Sequence, residues 1–175
     1  MNDTITAISS APGEAGIGIV KVSGPGCKDV MKRLMVRFPE EIEPRHAYLS
    51  RVSRNAADPE AEIIDEAIFL FMEGPHSYTG EDVLEIQAHG SNTGLKNILQ
   101  AVLDSEVEGV RMAEPGEFTK LAFLNGKMDL SQAEAVIDII KAKTDLSLSI
   151  AESQSAGRLG DKIREIRTVS YTHLT

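Results

Sequence analysis

Val83-Leu84-Glu85-Ile86-Gln87-Ala88 alternates apolar and polar residues, and shortly after it Thr93–Leu103 carries Leu95, Ile98, Leu99 and Val102 at helical spacing. A period of two giving way to a period near 3.6 marks a strand followed by a helix. In the strand, Leu84, Ile86 and Ala88 share one face and suit packing under helices. Val83, Glu85 and Gln87 share the other, which is left for solvent, a ligand or another subunit.

The same reading extends in both directions. Upstream, Thr4–Ser9 and Gly18–Ser23 read as strands separated by the turn-rich loop Ala11–Gly16. Cys27–Phe38 reads as a helix through Val30, Met31, Leu34 and Met35. His46–Ser53 and Ile63–Met72 read as an antiparallel hairpin around the turn Asn55–Glu60, and Glu73–Asp82 is a conspicuous loop. Downstream come a short strand, Val110–Ala113, and a helix, Phe118–Leu124, stopped by Asn125-Gly126. Ser131–Glu134 reads as a capping box, and Thr144 as the cap of a further helix. The predicted fold is α+β: residues 1–118 form a mixed or antiparallel sheet domain with flanking helices, and 119–168 begin an all-α domain. Residues 169–175 break the pattern and are expected to be a non-native tail.

Composition narrows the function. Hydrophobic residues make up 42% of the 175 and charged residues 26%, as in ordinary globular proteins. No apolar run is long enough for a membrane span and the start has no signal-peptide character, so a cytoplasmic location is expected. One cysteine, Cys27, excludes an internal disulfide, and it reads as a small residue near a helix start rather than a nucleophile. The net charge of −9 repels nucleic acid on average, so any grip on RNA is expected from a basic partner or another domain.

Glycine clusters do not make a nucleotide site. Gly13, Gly16 and Gly18 lead into a strand rather than a helix, and Gly90–Lys96 has the wrong spacing for a phosphate loop. The four histidines are scattered without metal-ligand spacing, so no metal site is expected. No catalytic residue is assigned, and His89 reads as a structural hydrogen-bonding histidine. Lys21 and Glu85 are the odd residues: each is a charge in mid-strand. Such a charge ordinarily marks an edge or a solvated face. Two of them could instead line one pocket, the carboxylate accepting paired N–H bonds from an aminopyrimidine and the lysine holding a carboxylate. Lys127 follows the tight Asn125-Gly126 turn, which fixes its direction in the linker between the two parts.

Together several strings resemble the N-terminal part of the MnmE (TrmE) family of tRNA-modification GTPases. They are Asp3–Ile5, Ala11–Gly24, Ser77–Gly90, Glu114–Lys120, Ala122–Leu130 and Gln132–Ala135. Their order and spacing cover the chain to about residue 167. The resemblance implies a fold similar to folate-dependent aminomethyltransferases, homodimer formation, and binding of 5-formyltetrahydrofolate or a related one-carbon tetrahydrofolate. The family's folate-contacting positions fall on Lys21, Glu85 and Lys127. Position 21 is more often arginine in the family; lysine keeps the charge without the bidentate fork. The resemblance further implies a GTPase domain using GTP, magnesium and potassium, whose motifs these residues lack. It also implies a flavoprotein partner, MnmG (GidA), in a heterotetramer that adds a carboxymethylaminomethyl or aminomethyl group to the wobble uridine of tRNA. The alternative is a dimerisation and docking module without folate binding; a stand-alone transferase ranks below both.

Overall fold

Alternation along two strands organises the first part of the chain. Val20, Val22, Leu84 and Ile86 have no exposure, and each is followed or preceded by a residue of the opposite face. The structure is a computed structural model that describes residues 3–141 together with Glu152 and Ser155. Its elements are β1 (Thr4–Ile8), β2 (Ala15–Ser23), α1 (Cys27–Leu34), β3 (Ala47–Ser53), β4 (Ile63–Met72), β5 (Val83–Gly90), α2 (Asn92–Leu103), β6 (Val110–Met112), α3 (Glu117–Leu124) and α4 (Leu130–Lys141). Six strands form one sheet in the order β3-β4-β5-β2-β1-β6. Only β1 and β6 pair in parallel; the other four pairings are antiparallel. The expected α+β class with a mixed sheet is what the chain adopts.

Both α1 and α2 lie on the same face of this sheet. Val30, Met31 and Leu34 of α1 and Leu95, Ile98 and Val102 of α2 join Val20, Val22, Phe69, Phe71, Leu84 and Ile86 in one core. At Gly18 α2 comes close to the sheet, and the end of the Leu95 side chain takes the space a Cβ would occupy. Ser91 caps α2 by accepting a hydrogen bond from the Gly94 N–H at 2.9 Å.

In the first part of the chain, three boundaries differ from the sequence expectation by two residues or more. α1 stops at Leu34 rather than Phe38, because Met35 turns to extended backbone (φ −88°, ψ 112°) and bridges Val52. The Val36 N–H then donates to the Arg51 carbonyl at 3.1 Å, so part of the β3 edge takes the chain that periodicity alone assigned to a helix. β2 starts at Ala15, across a register irregularity between Ala15 and Gly18 that periodicity does not reveal. β5 continues to Gly90.

The chain divides after Phe118 into two units. Near the start of the second, α3 ends in a Schellman turn. Gly126 has φ 69°, its N–H donates to the Phe123 carbonyl at 3.0 Å, and the Lys127 N–H donates to the Ala122 carbonyl at 2.8 Å. The capping box of α4 sits two residues earlier than expected. Asp129 Oδ1 accepts from the Gln132 N–H at 2.9 Å, and Gln132 Oε1 accepts from the Asp129 N–H at 2.8 Å. Aspartate caps as well as serine does, and Ser131 instead donates its hydroxyl to Asp129. The helix expected from Thr144 and the tail expected at 169–175 lie outside the described residues.

Candidate functional site

The face of the sheet opposite α1 and α2 carries the polar residues of β2 and β5. Lys21 is not on an edge strand: β2 is fourth of six in the sheet. It stands directly across from Glu85, with Ser23 opposite Val83 and Ile19 opposite Gln87 on either side. Continuing the row, Ala7 of β1 neighbours Lys21 and Leu70 of β4 neighbours Glu85. Small and apolar neighbours leave the two charges to each other. Lys21 Nζ lies 3.4 Å from Glu85 Oε1, with side chains 21% and 18% exposed. The other carboxylate oxygen accepts a bond from Gln87 Nε2 at 3.2 Å. Tyr78 covers the ammonium, its ring centroid 5.5 Å from Lys21 Nζ.

Tyr78 is held there by the order of its loop, residues 73–82. The Gly74 N–H donates to Asp82 Oδ1 at 2.9 Å and the Gly80 N–H to Ser77 Oγ at 3.0 Å. The buried hydroxyls of Ser23 and Thr79 are 2.7 Å apart, fastening the loop tip to β2. From outside, Arg45 Nη2 donates to the His76 carbonyl at 2.7 Å. The result is a fixed acid, a fixed base and an aromatic ring around one small area of the sheet. Such a set can both accept from and donate to a planar group laid against it.

Lys21 and Glu85 are therefore brought together, closer than separate contacts to the two ends of one ligand require. Lys127 belongs to the second unit, where it is exposed and its backbone is fixed by the Schellman turn. Sequence reasoning missed Tyr78 as a neighbour of Lys21. The only signal was the length and polarity of the loop that carries it.

His89 also has a defined partner. Its Nδ1 is 2.7 Å from Asp65 Oδ1 and its backbone N–H donates to Asp65 Oδ2 at 3.1 Å. Burial pushes the Asp65 carboxyl up, but bonds from the His89 side chain and from the Glu66 and His89 N–H groups outweigh it. The net shift is downward. Next to this pair, a crevice of about 220 Å³ is lined by Ile17, Leu49, Ile68, Gln87 and His89. Ile17 and Leu49 are 65% and 64% exposed, so the open face carries an apolar strip beside the charged pair. A second depression, about 630 Å³, lies among α1, Phe38, Ala56 and Val107 and includes none of the residues named on the open face.

Cys27 is buried, and burial together with Asp82 pushes its thiol far above the ordinary range, which leaves it unreactive. Among the described residues no group of acidic, histidine or cysteine side chains is arranged to hold a metal ion. Among them, too, no helix is long and apolar enough to cross a membrane.

This geometry sits inside a recognised sequence pattern. Residues 4–127 match the family model described as the GTP-binding protein TrmE N-terminus. The chain belongs to that family. It is 48% identical over 171 residues to the tRNA modification GTPase MnmE of Clostridioides difficile (strain 630), covering 95% of this chain and 36% of that protein. It is 46% identical to the protein of the same name from Carboxydothermus hydrogenoformans, again covering 95% of this chain and 36% of the relative. The tRNA modification GTPase MnmE of Aquifex aeolicus is 44% identical at the same coverage. The chain thus spans about a third of the length of these relatives. Lys21, Glu85, Tyr78 and Lys127 all fall within the TrmE N-terminal match.

Proposed function

We propose that this chain is the N-terminal module of a tRNA-modification GTPase, and that it binds a one-carbon tetrahydrofolate such as 5-formyltetrahydrofolate on the open face of its sheet. The observation that carries the reading is the Lys21–Glu85 pair, 3.4 Å across, on interior strands under Tyr78. A partly solvated charged pair on neighbouring interior strands contributes little to stability, which leaves it available for another use. The donor set fits a pteridine: a carboxylate for its amino and ring N–H groups, a cation for its carbonyl, and an aromatic side chain for its plane. We further propose Lys127 as a cation for the ligand's anionic groups. Whole-protein roles follow as part of the same proposal. The complete protein would bind GTP, magnesium and potassium, and would act with the flavoprotein MnmG in the cytoplasm. Together they would add a carboxymethylaminomethyl or aminomethyl group to the wobble uridine of tRNA.

Calorimetric titration of the 175-residue chain with 5-formyltetrahydrofolate tests the core of this reading. Saturable binding that Glu85→Ala removes is the expected result. A folded chain that takes up no ligand at millimolar concentration overturns it.

A second reading has its own observation. The exposed strip of Ile17, Leu49 and Ile68 on the same face favours pairing of two copies, so the module would also serve as a homodimer contact. Dimerisation without folate uptake, read by sedimentation with and without ligand, would leave docking as the module's whole role.

A further inference from the structure

Arg45 stands at a backbone position that suits a different residue. Glu43-Pro44-Arg45-His46 forms a turn in which the His46 N–H donates to the Glu43 carbonyl at 3.3 Å, and Arg45 has φ 65°. Proline at the second position and a positive φ at the third mark a type II turn, whose third position favours glycine or asparagine. Any larger side chain there carries a strain that glycine avoids. The Arg45 N–H donates to the Phe71 carbonyl at 2.7 Å, which fastens the turn to the end of β4. From that base the guanidinium reaches the loop of residues 73–82, where Nη2 donates to the His76 carbonyl at 2.7 Å.

Resting on the folate reading above, we infer that Arg45 is a positioning residue for the binding face. Its guanidinium latches the 73–82 loop so that Tyr78 stays over Lys21, and the strained turn aims the guanidinium. Anchors stand on both sides of Tyr78. After it, the Thr79 and Ser23 hydroxyls, 2.7 Å apart, tie the loop to β2. Before it, His76 is tied to Arg45, which comes from the connection between α1 and β3. The ends of the loop are held separately, by Lys28 on Glu73 and by the Gly24 N–H on the Asp82 carbonyl. Bonds from the Gly74 N–H to Asp82 and from the Gly80 N–H to Ser77 set the shape of the loop but not its placement.

The Arg45 bond is charge-assisted, and such bonds are stronger than those between neutral groups. The Arg45 side chain is exposed and takes no part in the core. Losing it frees the His76 side of the loop and lets the Tyr78 ring move from its place 5.5 Å from Lys21 Nζ. The buried face beneath α1 and α2 keeps its packing. The effect therefore falls on binding, through Tyr78, and not on folding.

The experiment sets Arg45→Gly, Arg45→Ala and Arg45→Lys beside the wild-type 175-residue chain, with 5-formyltetrahydrofolate as the probe. Glycine removes the latch and relieves the turn, alanine removes the latch and keeps the strain, and lysine keeps a charged donor. By calorimetry, Arg45→Gly and Arg45→Ala are each expected to bind about fivefold more weakly, the worth of one hydrogen bond, with Arg45→Lys between them and the wild type. In urea, Arg45→Gly should unfold near the wild-type midpoint and Arg45→Ala at a lower one. Hydrogen exchange in peptides covering 73–82 should quicken in both. In a Tyr78→Ala background, Arg45→Gly should cause no further loss of affinity, because the two residues act in one chain of contacts. Wild-type affinity in Arg45→Gly overturns this inference and leaves the folate reading standing. So do losses that simply add to those of Tyr78→Ala, and so do affinities of the glycine and alanine variants that follow their stabilities. A folded wild-type chain that takes up no ligand overturns both.

Discussion

The two faces of the sheet are built from alternate residues of the same strands, yet they follow opposite rules. On one face Val20, Val22, Phe69, Phe71, Leu84 and Ile86 are fully buried beneath α1 and α2. On the other, Lys21, Glu85 and Gln87 form a bonded polar group beside the exposed Ile17 and Leu49. The covered face has no room for charge, whereas the open face buries Ile5 and Val83 at one end and leaves Ile17 and Leu49 exposed at the other. Because side chains alternate, a slip of one residue in the β2–β5 register would bury the ion pair and expose the core. Burial of the core and placement of the charged pair on the open face are therefore locked to one alignment, which the cross-strand partners Lys21 and Glu85 report directly.

Truncation on the covered face should have the largest effect. Phe69→Ala is expected to cost about 3–5 kcal/mol in urea unfolding, because it removes a fully buried aromatic side chain and leaves a cavity in the core. A loss below about 1 kcal/mol would mean that the covered face is not the packed side. Glu85→Ala sharpens the contrast. Both partners of the pair are partly solvated, so unfolding should change by no more than about 1 kcal/mol. Binding of 5-formyltetrahydrofolate should fall roughly 10- to 150-fold, the loss of a charge-assisted contact. If stability falls as far as for Phe69→Ala, the open face is structural after all.

The apolar strip gives a smaller change in the monomer. Ile17→Ser with Leu49→Ser removes exposed side chains, and stability should stay within about 0.5 kcal/mol of the wild type. Self-association, followed by sedimentation velocity across a concentration series, should weaken by about tenfold or more for the loss of two interface side chains. Unchanged association would assign the contact to another surface.

How much of this was legible in the sequence differs between the two faces. The covered face was readable because burial imposes a period: Leu84, Ile86, Leu95, Ile98 and Val102 stand out by spacing alone. The open face was readable only as an anomaly. Lys21 and Glu85 could be marked as charges out of place, but their meeting depends on β2 pairing with β5 across more than sixty intervening residues, which no local pattern encodes. Tyr78 was hidden for a similar reason, since its position depends on hydrogen bonds of its loop with Arg45 and Ser23 and, within the loop, between Gly74 and Asp82. Helix ends were misplaced where two solutions compete locally. Met35 had helical spacing but was taken by β3, and Asp129 outbid Ser131 as the cap of α4.

The smallest predicted effect lies where β4 and β5 part, just beyond the ladder pair Ile68–Gln87. There Asp65 accepts from the His89 ring and from two backbone N–H groups, and its carboxyl is shifted below its ordinary value of 3.8. A depressed carboxyl binds fewer protons in the folded chain than in the unfolded one. Its contribution is thus present above the ordinary carboxyl value and is lost as pH falls through the folded value. Wild type and Asp65→Asn, unfolded in urea at a series of pH values, should differ most near neutrality, with Asp65→Asn the less stable. The difference should shrink below about pH 4, where the free carboxyl itself takes up a proton. Parallel stability curves down the whole acid limb would show that His89 rests against Asp65 without holding its charge. The boundary between the two faces would then owe nothing to this pair.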